Sequence, residues 1–166
     1  MRPSRIAWAL LLASSAAFAQ LASVDADWRE VEAPPPPALR LEGLIPLEMP
    51  RSALRFAVDP GSVSVGSDGV VRYVVVATSA AGAVNALYEG LRCNTAVVRV
   101  YARHNPDSGW TLAKDSAWRP LHNSAASHSL VIARTGACIG HSPNRSASQI
   151  VRDLRSPVDR RFNQPQ

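Results

Sequence analysis

Residues 54–93, LRFAVDPGSVSVGSDGVVRYVVVATSAAGAVNALYEGLRC, decide the fold. Leu54, Phe56 and Val58 alternate with Arg55, Ala57 and Asp59, the period-two signature of a half-buried strand. Asp59-Pro60-Gly61 stops that strand, 62–65 is short and extended, and Gly66-Ser67-Asp68-Gly69 is a turn. Residues 70–78 are rich in β-branched residues and apolar on both faces in the middle, which predicts a central strand. Ser79-Ala80-Ala81-Gly82 turns the chain into 83–92, and 93–96 leads into a further strand over 97–103.

A register follows from these turns. With Thr78 opposite Ala83, Tyr73 opposes Tyr88 and Arg72 opposes Glu89. With Cys93 opposite Val97, Gly90 meets Val100 and Glu89 meets Tyr101. One sheet face then gathers Val71, Tyr73, Val75, Ala86, Tyr88, Val98 and Val100. The other gathers Leu87, Leu91 and Cys93 with Arg72, Glu89, Arg99, Tyr101 and Arg103, and these last five form the candidate interaction face. A one-residue slip would scramble both sets, because side chains alternate with a period of two.

Outward from this sheet, the N-terminus reads as a cleaved export signal over residues 1–19. Arg2 and Arg5 precede a short apolar run, and Ala17-Phe18-Ala19 is an A-x-A-like cleavage site. The run is short for a membrane span, and no later segment is apolar enough to be one. Removing residues 1–19 lowers the formal charge from +5 to +3, since two of eighteen cations leave against thirteen anions. In an oxidising compartment the two cysteines, Cys93 and Cys138, are expected to pair.

Residues 20–53 read as an N-terminal extension. Acidic residues surround Trp28, and Pro34-Pro35-Pro36-Pro37 forms a stiff polyproline spacer. An edge strand or irregular approach follows, with Pro46 and Pro50. The folded domain spans 54–155. Within it Trp110-Thr111-Leu112 and residues 129–134 read as further strands, and 146–155 as a helix capped by Ser146, with Ile150, Val151 and Leu154 as its apolar stripe. Residues 156–166 read as a disordered tail. The expected fold is α+β and mainly β: one curved antiparallel sheet of about five to six strands, a C-terminal helix and one disulfide.

Motifs of catalysis are missing from the sequence. It has no Gly-rich phosphate loop, no G-x-S-x-G elbow and no H-E-x-x-H. His104, His122, His128 and His141 lack a recognised ligand spacing. The expectation is therefore no catalytic residues, no metal and no cofactor. Arg145, Arg152, Arg155, Arg160 and Arg161 make the C-terminus basic, but export speaks against a nucleic-acid partner. Trp28, Trp110 and Trp118 read as partly buried core anchors.

Several of these residues carry a family resemblance. Val58-Asp59-Pro60, Ser62-Val63-Ser64-Val65-Gly66, Asp68-Gly69-Val70-Val71-Arg72-Tyr73, Gly82, Asn85 and Tyr88-Glu89-Gly90-Leu91-Arg92-Cys93 resemble the cryptic neisserial protein family. Trp110, Trp118-Arg119-Pro120-Leu121 and Cys138 are similar to its later pattern, although Ala137 stands where an aromatic residue is expected. The resemblance covers about residues 28–155. It implies an exported envelope domain of beta-proteobacteria with no assigned activity, and it brings no catalytic residues. The expected role is a non-enzymatic periplasmic binding or structural module with an envelope or protein partner. The alternative is a secreted or outer-surface adhesin-type domain.

Overall fold

In the computed structural model the residues described are 27–49, 52–114, 116–123 and 128–156. The expected export signal over residues 1–19 and residues 157–166 of the expected tail lie outside them. The elements in chain order are β1 (Ile45–Pro46), β2 (Arg55–Val58), β3 (Ser64–Val65), β4 (Val70–Thr78), β5 (Val84–Arg92), β6 (Val97–Asn105), β7 (Gly109–Leu112) and β8 (Arg119–Pro120). Helix α1 (His128–Ile132) continues as a π-helical turn over Ala133–Ala137, then come β9 (Cys138–Ile139), β10 (Ser142–Pro143) and α2 (Ala147–Arg155).

The first eight strands form one antiparallel sheet in the order β1-β2-β4-β5-β6-β7, with β3 also on β4 and β8 also on β6. The sheet has more strands than expected because short strands share an edge. β2 and β3 line up along different parts of β4, and β7 and β8 along different parts of β6. β4 is central, as its apolar run requires: Val70 to Val76 are all buried.

The expected register is wrong by one residue, and the turns explain why. Thr78 pairs with Val84, which leaves a three-residue loop, Ala80-Ala81-Gly82, closed by Ser79 N–H to Ala83 O at 3.0 Å. Gly82 has φ +84°, the left-handed residue such a loop uses to turn back into the strand. Arg72 therefore opposes Gly90, and Tyr73 opposes Glu89. In the next hairpin Arg92, not Cys93, pairs with the strand at Val97, and Ala96 takes φ +51° to close the turn. The pairing then shifts between Tyr88 and Glu89, so that Tyr101 on β6 is an extra, bulged residue.

The corrected register gives the sheet two covered faces. One carries Val71, Tyr73, Val75, Leu91, Cys93 and Val98 and packs against the helical layer, where Ile132, Ala133, Ala137, Ile150 and Leu154 point inward. The other carries Val74, Val76, Ala86, Tyr88 and Ala102, with Leu39, Leu44 and Trp110 laid against them. Neither face is left to solvent, which accounts for the lack of clean apolar–polar alternation in β4.

Residues 129–134 are helical, not a strand. Ser129, Ile132, Ala133, Gly136 and Ala137 are the buried positions, a spacing of three and four that places one stripe against the core. Thr135 Oγ1 donates to Val131 O at 2.8 Å within the turn. Gly136 lets α2 come close: a Cβ there would meet Leu154 Cγ at 2.8 Å. α2 itself forms where expected. Ser146 Oγ accepts from Gln149 N–H, and Ile150 and Leu154 are buried. The Gln149 side chain donates to Asp153 Oδ1 and does not complete a capping box. The disulfide Cys93–Cys138 joins the end of β5 to β9, with Cα atoms 5.7 Å apart. It draws the segment after α1 onto the face that carries Leu91 and Tyr73, with α2 on the same face.

Candidate functional site

The five residues of the candidate interaction face divide between the two sides of the sheet. Arg72, Arg99 and Tyr101 share one side; Glu89 lies on the other, in register with Val75's neighbour Tyr73. Arg103 opposes Leu87 and is exposed. The three-residue hairpin loop and the bulge at Tyr101 are the physical causes of this division.

The Arg72–Arg99–Tyr101 side is covered by the chain's own N-terminal segment, which is a strap and not a free spacer. Glu30 supplies the main fastening. Its Oε2 pairs with Arg99 Nη1 at 2.7 Å and accepts from Trp118 Nε1 at 3.2 Å, while Oε1 accepts from Tyr101 O–H at 2.6 Å. Trp28 lies edge-on to Trp118, has the Arg92 guanidinium 3.5 Å above its ring, and donates Nε1–H to Asp68 O. Val31 is clipped at both ends of its peptide: its N–H donates to Asp68 Oδ2, and its O accepts from Arg72 Nη2. The polyproline run ends with Pro37 O accepting from Trp110 Nε1 at 2.9 Å, and Arg40 pairs with the buried Asp59 carboxylate. Ile45 and Pro46 then enter the sheet as its edge strand.

Beneath the strap sits a buried ion pair, Arg72 with Asp68, whose side chains are 3% and 0% exposed. Burial opposes ionisation of Asp68. The Arg72 guanidinium and the N–H groups of Val70 and Val31 outweigh it and hold the carboxyl below its usual range. Arg72 is correspondingly held more firmly protonated: burial works against it, and the bond to Asp68 wins. Nε of Arg72 and of Arg99 lack a hydrogen-bond partner among the described residues, but both guanidinium groups lie 5.6–5.7 Å from the Tyr101 ring centre. That ring fits because residue 90 is glycine; a Cβ there would come within 2.6 Å of Tyr101 Cε2. Burial, reinforced by the Glu30 bond, pushes the Tyr101 phenol well up.

On the helical side Glu89 gathers a second cluster that the sequence reading missed. Its Oε2 accepts from Tyr73 O–H and from Ser129 Oγ–H, each at 3.0 Å, and both oxygens lie 3.0–3.1 Å from His128 Nε2. Carboxylate oxygens accept, so Nε2 carries the imidazole proton. Phe56 stacks on the His128 ring with centroids 4.8 Å apart. Glu89 is 3% and His128 15% exposed at the side chain. Burial first, and then the Glu89 charge, raise the Tyr73 phenol well above its ordinary value. The wiring is unlike that of an activated nucleophile. There the imidazole stands between acid and hydroxyl, whereas here both His128 and Ser129 spend themselves on the same carboxylate. The helical reading of 128–137 would have placed Ser129 on the buried stripe.

A half-open cavity of about 600 Å3 lies beside the disulfide, between the β5–β6 turn and the layer of α1 and β9. Cys93, Ala96, Leu121, Leu130, Ala133 and Cys138 give it an apolar wall, and Arg134, His122 and His141 stand around its mouth. Its size is ordinary for a site holding one small molecule. Among the described residues no group of three His, Cys, Asp or Glu side chains gathers to hold a metal ion. Among the same residues no helix is long and apolar enough to cross a membrane.

These features define a small disulfide-tied antiparallel-sheet domain with a helical layer on one face and its own N-terminal strap on the other. The CNP1-like family pattern matches residues 23–155, so that it takes in the strap as well as the sheet and α2, and the chain belongs to that family. None of the curated proteins and none of the solved structures compared with the chain matches it.

Proposed function

We propose that the chain is an exported, non-enzymatic module of the bacterial cell envelope that binds a partner or ligand, related to the cryptic neisserial proteins. One observation carries the non-enzymatic reading: the best-placed acid, imidazole and hydroxyl are consumed by one another. Glu89 is saturated by Tyr73, Ser129 and His128 inside the core, where its net effect is to satisfy buried polar groups between sheet and helix. The export reading rests on the N-terminal signal pattern, and the disulfide is the kind of staple that an oxidising compartment permits. The strap bears on the mode of binding. It covers the arginine-bearing face, so recognition is left to the sheet edges and to the cavity on the other side.

Cell fractionation combined with crosslinking of intact envelopes tests this reading. The expected result is a shortened chain in the periplasmic fraction, linked to a discrete envelope component. Recovery of the unprocessed chain in the cytoplasm would overturn it. Labelling of the protein on whole cells would shift the reading to an adhesin on the outer surface.

A further inference from the structure

The cavity beside the disulfide combines an apolar wall with a basic mouth. Its wall is apolar, formed by the disulfide itself with Ala96, Leu121, Leu130 and Ala133. Every ionisable group that lines it is basic: Arg134, His122 and His141. No carboxylate lines it, and none pairs with Arg134 among the described residues. A permanently charged guanidinium with no acid partner among the described residues, at the mouth of an apolar pocket, complements an anion that carries an apolar body. The two imidazoles add N–H donors in either protonation state.

We propose that this cavity binds a free, single-chain amphiphile with an anionic head, of the class of a medium-chain carboxylic acid. The hydrocarbon chain lies over the disulfide, Leu121 and Leu130, and the carboxylate meets Arg134 with His122 and His141. The inference rests on the binding-module reading and names the ligand class for it. An apolar wall alone would accept any hydrocarbon; the Arg134 guanidinium selects the acid over the corresponding alcohol.

Isothermal titration of monomeric decanoate into the chain from residue 20 onward tests the inference. One saturable site is expected, at least tenfold weaker for decanol than for decanoate. Arg134→Glu should weaken decanoate at least tenfold, and Leu130→Trp, which fills the cavity, should abolish binding. Arg134 is exposed, so its variant keeps the fold whether or not Leu130→Trp does. Absence of saturable binding would overturn the site, as would decanoate binding that ignores Arg134→Glu, or an equal response to decanol. Binding to phosphatidylglycerol vesicles without binding of decanoate would also overturn it, because the occupant would then be a membrane lipid. An envelope partner found by crosslinking, together with no decanoate binding, sinks the ligand site and leaves the module reading intact. Loss of the module reading leaves the titration result standing by itself.

Discussion

Replacing Glu30 by alanine removes the strap's main fastening. Three bonds disappear together: the 2.7 Å pair with Arg99, the 2.6 Å bond from Tyr101 and the 3.2 Å bond from Trp118. The Tyr101 bond is charge-assisted and half-buried, a setting worth about 1.5–3 kcal/mol. Arg99 is 33% and Glu30 17% exposed, so their ion pair is screened by solvent and belongs near the surface value of about 0–1 kcal/mol. Trp118 adds a longer, weaker bond of about 0.5 kcal/mol. The variant should therefore lose about 2–4 kcal/mol, a large share of the roughly 5–15 kcal/mol that holds a small domain folded. In urea, with a slope near 2 kcal/mol/M, the unfolding midpoint falls by about 1–2 M. A double-mutant cycle with Tyr101→Phe isolates the central bond and should return a coupling of about 1 kcal/mol or more. A loss below about 0.5 kcal/mol with no coupling would mean that the segment merely rests on the sheet and that Glu30 does not fasten it.

Gly90→Ala should destabilise the fold by about 1–3 kcal/mol, because the new Cβ drives into the Tyr101 ring beneath the strap. Thermal unfolding that matches the parent would contradict that packing. Removing both cysteines, Cys93→Ser with Cys138→Ser, frees a loop of 45 residues and should cost up to about 4 kcal/mol in denaturant unfolding. Stability should also fall in alkali. Tyr73, Tyr88 and Tyr101 all have raised phenol pKa values, chiefly from burial. Their contribution is complete below the unfolded value of about 10 and is lost as pH rises towards the folded values. Tyr73→Phe should flatten this alkaline slope in a urea titration repeated across pH. An unchanged slope would show that Tyr73 ionises as freely folded as unfolded.

How much of this was legible in the sequence differs from element to element. β4 could be placed because a nine-residue run with six β-branched residues, apolar on both faces in its middle, has few other fates. α2 could be placed because Ser146 marks its start and Ile150 and Leu154 share its buried face. The faces of the sheet could not. A strand register hangs on one residue of loop length, and Ser79-Ala80-Ala81-Gly82-Ala83 reads equally well as a loop of three or of four residues until Gly82 is seen at positive φ. The bulge at Tyr101 has no marker beside it, since no glycine precedes it on β6. Residues 129–134 misled because Leu130-Val131-Ile132 is β-prone by composition, while the small residues that make the helical stripe, Ser129, Ala133 and Gly136, carry little hydrophobic signal. The strap was hidden for a different reason. Glu30 and Arg99 are 69 residues apart, and a contact of that range leaves no local pattern.

Residues 27–40 are a structural part of the domain and close the face that carries Arg72, Arg99 and Tyr101. The most direct measurement removes residues 20–40 and supplies a peptide spanning 27–40 to the shortened chain, followed by titration and by urea unfolding. A saturable complex that restores the unfolding midpoint is expected, with a much weaker effect from the same peptide carrying alanine at Glu30. A shortened chain as stable as the intact one, with no affinity for the peptide, would contradict the claim.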